Sequence, residues 1–280
     1  VIGKSSAFLT AFLVSTVLTL PVPAFSQVEW VGDTRSQAEA RLPLSHRLSA
    51  GQALVNLARQ MIGRPYTAFS LDRGPFERLR LDLTSFDCVL LVEQLLALIH
   101  STSIHEFPSQ VMRLRYSNSL PEYCKRNHYF SVWARNAEKQ GFIDDISASL
   151  PGASTRTRSL TFMSSHPQAY RPMMRESLRQ CIARLEQHLS VDQVYVPLSS
   201  LPAASSMLRS GDIFALVTDI HGLDVTHTGI LERTGTELNA IHAIPVRGVV
   251  RTTDFIGYAS RVDDVIGVSI YRPLSPLRQK

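Results

Sequence analysis

Ser85-Phe86-Asp87-Cys88 runs straight into Val89-Leu90-Leu91-Val92-Glu93-Gln94-Leu95-Leu96-Ala97-Leu98-Ile99, a polar turn meeting an apolar stretch. The apolar residues go nearly all round a 3.6-residue period, which marks a helix buried at the centre of a domain. Asp87 or Ser85 is placed to cap that helix. Cys88 then occupies its first turn, where unpaired backbone N–H groups and the helix dipole favour a thiolate. Matching chemistry lies far downstream, as His227 in DVTHTGI and His242 in LNAIHAI. A cysteine on a helix with histidines on later strands supplies a nucleophile, its base and the group that orients the base.

Outward from this helix, residues 51–62 read as a second one, with Leu54, Leu57, Ala58 and Met61 on one side and Gly63 and Pro65 as its stop. Residues 101–210 read as further helices, including 129–140 and 173–189, with spacers around Pro151 and Pro202. From Gly211 the period changes to short strands: IFALVT, THTGILE, ELNAIHAI, GVVRTT and VIGVSIY, separated by Gly, Asp or Arg turns. Helices first and consecutive strands later predict an α+β fold with a mostly antiparallel sheet. One domain is expected over 51–280, with a helical insertion at about 101–210, preceded by a polar lead-in over 27–50.

Residues 1–26 have the three-part layout of a secretory signal. Lys4 precedes the uncharged run SSAFLTAFLVSTVLTL, then PVP and small residues to Ala24-Phe25-Ser26. A membrane span needs about 20 apolar residues, and Pro21 and Pro23 cut this run short. The expectation is an exported protein, periplasmic or secreted, with no stable membrane anchor after cleavage. The 280 residues are 44% hydrophobic and 19% charged, enough for a proper core. The net charge of +5 is scattered. No basic block forms a phosphate track, so nucleic acid is not an expected partner, whereas the sign permits attraction to an anionic polymer such as cell wall. Export also affects how the three cysteines are counted. Cys124 and Cys181 can pair and leave Cys88 free, or Cys181 is a buried thiol on the stripe Met174, Leu178, Cys181, Ile182, Leu185, Leu189.

Each residue also has a plain structural reading. A lone cysteine before an apolar run is ordinarily core, and single histidines on strands are commonplace. Tyr66 after Pro65 reads as a packing aromatic, Asp87 as a cap and Asp224 as a turn brace. Arg126, His128, Tyr129 and Trp133 suit helix packing as well as substrate contact. The ordered set of Cys88, His227 and His242 is what rises above these readings. A rival chemistry uses His221, Asp224, His227 or Cys88 as zinc ligands, although His-x-x-Asp-x-x-His fits no familiar helical ligand pair. A second rival is a wall-binding module without turnover, which the intact set disfavours.

Here the residues carry a resemblance. Ile62-Gly63-Arg64-Pro65-Tyr66, Phe86-Asp87-Cys88, Gly211-Asp212-Ile213, Thr226-His227-Thr228-Gly229-Ile230 and Ile241-His242-Ala243 resemble, in order and rough spacing, the NlpC-type papain-like cell-wall hydrolases. More narrowly, RNHYFSVW from Arg126 and GLDVTHTGI from Gly222 resemble the N-acetylmuramoyl-L-alanine amidase-like family within that superfamily. The likeness runs from about Gly51 to Tyr271.

The resemblance implies a papain-like fold whose central helix carries Cys88 as nucleophile, with His227 as base and acid, His242 as the orienting third residue and Tyr66 as a donor to the oxyanion. It implies a peptidoglycan or muropeptide substrate, no metal or other cofactor, and hydrolysis of the amide between (anhydro)N-acetylmuramic acid and L-Ala. Related NlpC-type endopeptidases instead cut within the stem peptide, between D-Glu and the diamino acid. Asp87, Asp224 and Arg126 are the candidate substrate contacts. The chain departs from the commonest pattern in carrying Cys-Val-Leu where many relatives carry Cys-Ser-Gly.

Overall fold

The computed structural model describes residues 28–45, 48–118 and 120–276. The signal-like segment 1–26 lies outside the described residues, and no described helix is long and apolar enough to cross a membrane. In chain order the elements are β1 (Val28–Trp30), α1 (Thr34–Ser45), α2 (Ala50–Met61), β2 (Leu79–Leu81), α3 (Cys88–Ile99), α4 (Phe107–Arg115), α5 (Phe130–Lys139) and β3 (Ile143–Asp145). They continue with β4 (Ser154–Ser159), α6 (Phe162–Ser165), α7 (Glu176–Glu186), β5 (Ser190–Pro197), α8 (Leu201–Ala204), β6 (Ile213–Thr218) and β7 (Val225–Thr234). The last four are β8 (Glu237–Ile244), β9 (Gly248–Thr252), α9 (Phe255–Ala259) and β10 (Val265–Pro273).

The fold is α+β. An eight-stranded sheet runs β4-β5-β10-β6-β7-β8-β9, with β3 pairing β10, and every pairing in it is antiparallel. Strand β6 is buried along its whole length, so alternate residues serve two cores. Ile213 and Ala215 join the cluster formed with α1 to α5, whereas Phe214 and Leu216 join the cluster under α8 and α9. A third cluster packs α7 against Tyr123 and Tyr129.

Helix α3 is the buried helix expected, with every residue from Leu90 to Ile99 in the interior. Its two polar members are satisfied. Gln94 accepts from the Asp82 N–H at 2.7 Å and donates to the Asp82 carbonyl at 2.9 Å. Glu93 takes a two-pronged Arg115 guanidinium on one oxygen, at 2.6 and 2.9 Å, and both side chains are 2% exposed. Neither charge can be removed alone without stranding the other in low dielectric.

Three expectations need correction. The lead-in over 27–50 is structural, because β1 pairs in parallel with β2 and α1 packs on α3, placing Ala38 and Leu42 in the main core. Its polar composition hid a helix with one narrow apolar face. The insertion over 101–210 is not purely helical, since β3, β4 and β5 all join the sheet. β4, STRTRS, is an edge strand with little buried surface, so it lacks the apolar alternation by which a strand is read. The expected stripe on residues 173–189 shrinks to α7, outside which Met174 is exposed, and Leu185 within it is exposed too.

Cys124 and Cys181 form a disulfide, Cα–Cα 6.2 Å, and Cys88 is free. Denatured, unreduced protein should therefore titrate one thiol. Reduction should cost on the order of 4 kcal/mol in urea unfolding, the loop-closure value for a 57-residue separation. Arg115→Met should destabilise by about 3–5 kcal/mol, and adding Glu93→Leu should recover much of that loss.

Candidate active site

Asp87 is the N-cap of α3, its Oδ1 accepting the Leu90 N–H at 2.8 Å, and this fixes the direction in which Cys88 leaves the first turn. The preceding loop is held by Asp82, whose carboxylate accepts from Thr84 and Ser85. Tyr66 reaches the same place because its segment bridges Phe86: Phe86 N–H donates to the Pro65 carbonyl at 3.1 Å and Thr67 N–H to the Phe86 carbonyl at 3.0 Å. Tyr66, Cys88 and His227 line one cleft of about 390 Å³.

The histidines are coupled across strands. Ile230 pairs with Ile241, so Gly229 lies opposite His242 and His227 lies two residues further along β7. His227 Nε2 meets His242 Nδ1 at 2.7 Å, and His242 Nε2 meets Thr252 Oγ1 at 2.8 Å. Thr252 is the diagonal neighbour of His242, because His242 pairs with Val250 and Ala240 with Thr252. A Cβ at position 229 would stand 2.6 Å from the His242 Cβ and 2.8 Å from the Phe214 ring, so glycine is what lets β7 and β8 bring the two imidazoles together. His242 is wholly buried. The Phe214 ring lies about 6 Å from both imidazoles, and Tyr258 meets them edge-on at 4.9 Å from His242 and 6.4 Å from His227.

Burial sets the protonation states. It pulls His227 down to about 3, with His242 pushing the same way, and pulls His242 down to about 4, with Arg247 adding to the effect. Both rings rest neutral. Cys88 is partly exposed to the cleft, yet its thiol is pushed up to about 12, first by desolvation and then by Asp87. The Thr228 and Val89 backbone N–H groups oppose this without overcoming it. The thiolate expected from the helix dipole is therefore not the resting species: in this apolar setting the desolvation penalty outweighs the dipole. Asp87 is itself raised to about 6 by burial, partly offset by the Leu90 N–H. Tyr66 is raised to about 12 by burial and then by Cys88 and Asp87, which keeps it a hydrogen-bond donor.

The remaining expected residues line the cleft but are already occupied. Arg126 binds Asp72 at 2.8 Å and Glu77 at 2.7 and 3.1 Å, and lies over the Tyr123 ring, so its charge is spent on the wall. Asp224, 1% exposed, accepts from Ser131 N–H at 2.7 Å and Ser131 Oγ at 2.5 Å. It ties the start of β7 to α5, three residues before His227. Asp87 is a cap. All three line the cleft and carry structural roles there. The zinc set is not assembled either, since His221 is exposed on its turn while Asp224 faces Ser131, and no group of three or more potential ligands gathers among the described residues. Thr252 and Tyr258 escaped the sequence reading. Thr252 was legible only as an alternate position on GVVRTT, and Tyr258 carries no local signal because α9 reaches the histidines by a tertiary route.

A raised thiol has a sign that can be checked. Alkylation of Cys88 by iodoacetamide should be slow at pH 7 and climb about tenfold per pH unit beyond pH 9, with no plateau near neutrality. Asp87→Asn should speed it at a given pH, because it removes a negative charge beside the sulfur.

No curated protein sequence matches this chain. Among solved structures, an N-acetylmuramoyl-L-alanine amidase from Bacteroides uniformis is 28% identical with a TM-score of 0.75, the match covering 80% of this chain and 98% of that one. A Bacteroides fragilis protein named as a candidate xylanase is 28% identical with a TM-score of 0.73, over 78% of this chain and 99% of that one. A Legionella pneumophila protein shares the fold at 20% identity and a TM-score of 0.72, over 88% of this chain and 96% of that one. Residues 56–266 match the family described as AmiA-like, N-acetylmuramoyl-L-alanine amidase-like. The chain therefore belongs to the N-acetylmuramoyl-L-alanine amidase-like family.

Proposed function

We propose that this protein is a cysteine amidase of the papain-like, NlpC-type kind that hydrolyses the amide between (anhydro)N-acetylmuramic acid and L-Ala. The observation that carries the reading is the relay of His227, His242 and Thr252, which ends at His227 in the cleft that Cys88 also lines. Its polarity suits a base. If Thr252 Oγ1 accepts from His242 Nε2–H, then His242 Nδ1 accepts from His227 Nε2–H, and the lone pair of His227 Nδ1 faces no protein partner. His227 Nδ1 is then the atom that takes the thiol proton.

The reaction balances as acyl transfer. Cys88 loses its proton to His227 as its sulfur bonds the lactyl carbonyl carbon. The oxyanion rests on the Cys88 N–H at the open end of α3 and on the Tyr66 hydroxyl. The C–N bond breaks as His227 protonates the leaving amine of L-Ala, and water, deprotonated by His227, cleaves the thioester to give the acid and restore the thiol. Because the resting pair is neutral, the ion pair forms only once substrate has entered, and proton transfer belongs to the attack. A glycosidase reading would need two carboxyls flanking the scissile bond. Those lining the cleft are otherwise engaged, Asp72 and Glu93 by arginines, Asp224 by Ser131 and Asp87 by its helix. We further propose export through residues 1–26, in keeping with the Cys124–Cys181 disulfide.

Mass spectrometry of products from a defined anhydromuropeptide with a tetrapeptide stem tests the bond. Release of the intact stem is expected, whereas cleavage inside the stem would move the enzyme to the NlpC-type endopeptidases. Cys88→Ala and His227→Ala should each lose at least about 10⁴-fold in kcat. His242→Ala should cost about 10²-fold, and Gly229→Ala should resemble it by displacing His242; unchanged rates would remove His242 from the relay.

A further inference from the structure

Phe69 stands out on the wall of the Cys88 cleft. It is 57% exposed and has φ +54°, in the left-handed region that a bulky side chain avoids. It opens the short 3₁₀ turn Ser70–Asp72, and Asp72 pins that turn by its N–H to the Phe69 carbonyl at 3.0 Å and by its carboxylate to Arg126 at 2.8 Å. The base of the turn is thus rigid while the ring stands out. Across from it Tyr170 approaches edge-on, ring centroids 6.4 Å apart at 88°, and also lines the cleft. Arg175 joins the two walls by donating to the Pro75 carbonyl at 2.7 Å. Tyr123, almost buried in the same wall, has a hydroxyl with no protein partner.

The charges say what such a surface receives. The guanidiniums lining the cleft, Arg115 and Arg126, are both saturated by carboxylates. Asp72 and Glu93 stand at the cleft beside them. A stem peptide carrying several carboxylates gains nothing here, whereas a neutral ring with one apolar face matches an uncharged aromatic ledge. We propose that Phe69, backed by Tyr170, is the platform of a carbohydrate subsite that takes the N-acetylated pyranose of the substrate, its apolar face lying on the Phe69 ring. This rests on the muramoyl-amide reading for the identity of the sugar. The backbone strain at position 69 is then retained for binding, because little burial of the ring offsets it in the free protein.

The test uses the full chain with Cys88→Ala, titrated calorimetrically with the primary amide of N-acetylmuramic acid, with and without Phe69→Gly. Glycine accepts φ +54° without strain, so it separates binding from folding. The expected result is binding weakened by about tenfold with Tm unchanged or raised. With Cys88 intact, Phe69→Gly should raise KM for the sugar-bearing tetrapeptide and leave kcat/KM for lactyl-tetrapeptide, which lacks the ring, unaltered. Undiminished sugar binding, or equal losses on both substrates, overturns the proposal. So does a marked fall in Tm, which would make Phe69 a packing residue. Should the active enzyme cut inside the stem, the bond assignment fails, while the sugar titration still decides the subsite.

Discussion

The 2.7 Å contact between His227 and His242 exists because position 229 has no side chain. β7 and β8 carry one imidazole each, and the strand spacing would ordinarily be filled by a Cβ at the position facing His242. Its absence lets the two rings lie edge to face at 4.9 Å, and Phe214 and Tyr258 pack around them, leaving His242 wholly buried and His227 open only to the cleft. From that enclosure come the two neutral histidines and the contact that continues from His242 to Thr252. The chemistry depends on a close approach of backbones more than on the strength of any one hydrogen bond.

The state of Cys88 is governed by a second enclosure. Helix α3 is buried from Leu90 to Ile99, so its ion pair sits in low dielectric, and its first-turn sulfur meets solvent only through the cleft. A helix N-terminus by itself favours an anion, yet here an aspartate caps it and the surroundings are apolar, and the thiol stays protonated. The one free cysteine is thus kept in its protonated, less reactive form, in a chain whose other two cysteines are paired. The cleft opposite is braced by the same means as the core, with Arg126 locked between two carboxylates and the disulfide tying α7 to the segment that carries Tyr123.

Much of this was legible from residue order. The apolar run after Cys88 is a helix because no period leaves it a wet face. The five strands after Gly211 alternate or run apolar between turn residues, and the structure keeps all five. The two histidines that stood out in the sequence do meet, and Cys88 lines the same cleft as His227. What escaped was whatever owes its place to partners distant in sequence. α1 and β1 look like a polar leader until α3 is there to receive them, and β4 is a strand only because β5 offers it an edge. Arg126 looked free because its carboxylates lie some fifty residues upstream.

By itself the sequence determined the identity of the buried helix, the antiparallel sheet and the one cysteine and two histidines that stand out from the rest, since these follow from local periodicity and side-chain chemistry. Only the tertiary structure decided their protonation, their neighbours and which polar groups remain available in the cleft. Desolvation and pairing depend on what is packed against a group from all sides, and that is set by contacts no local pattern encodes.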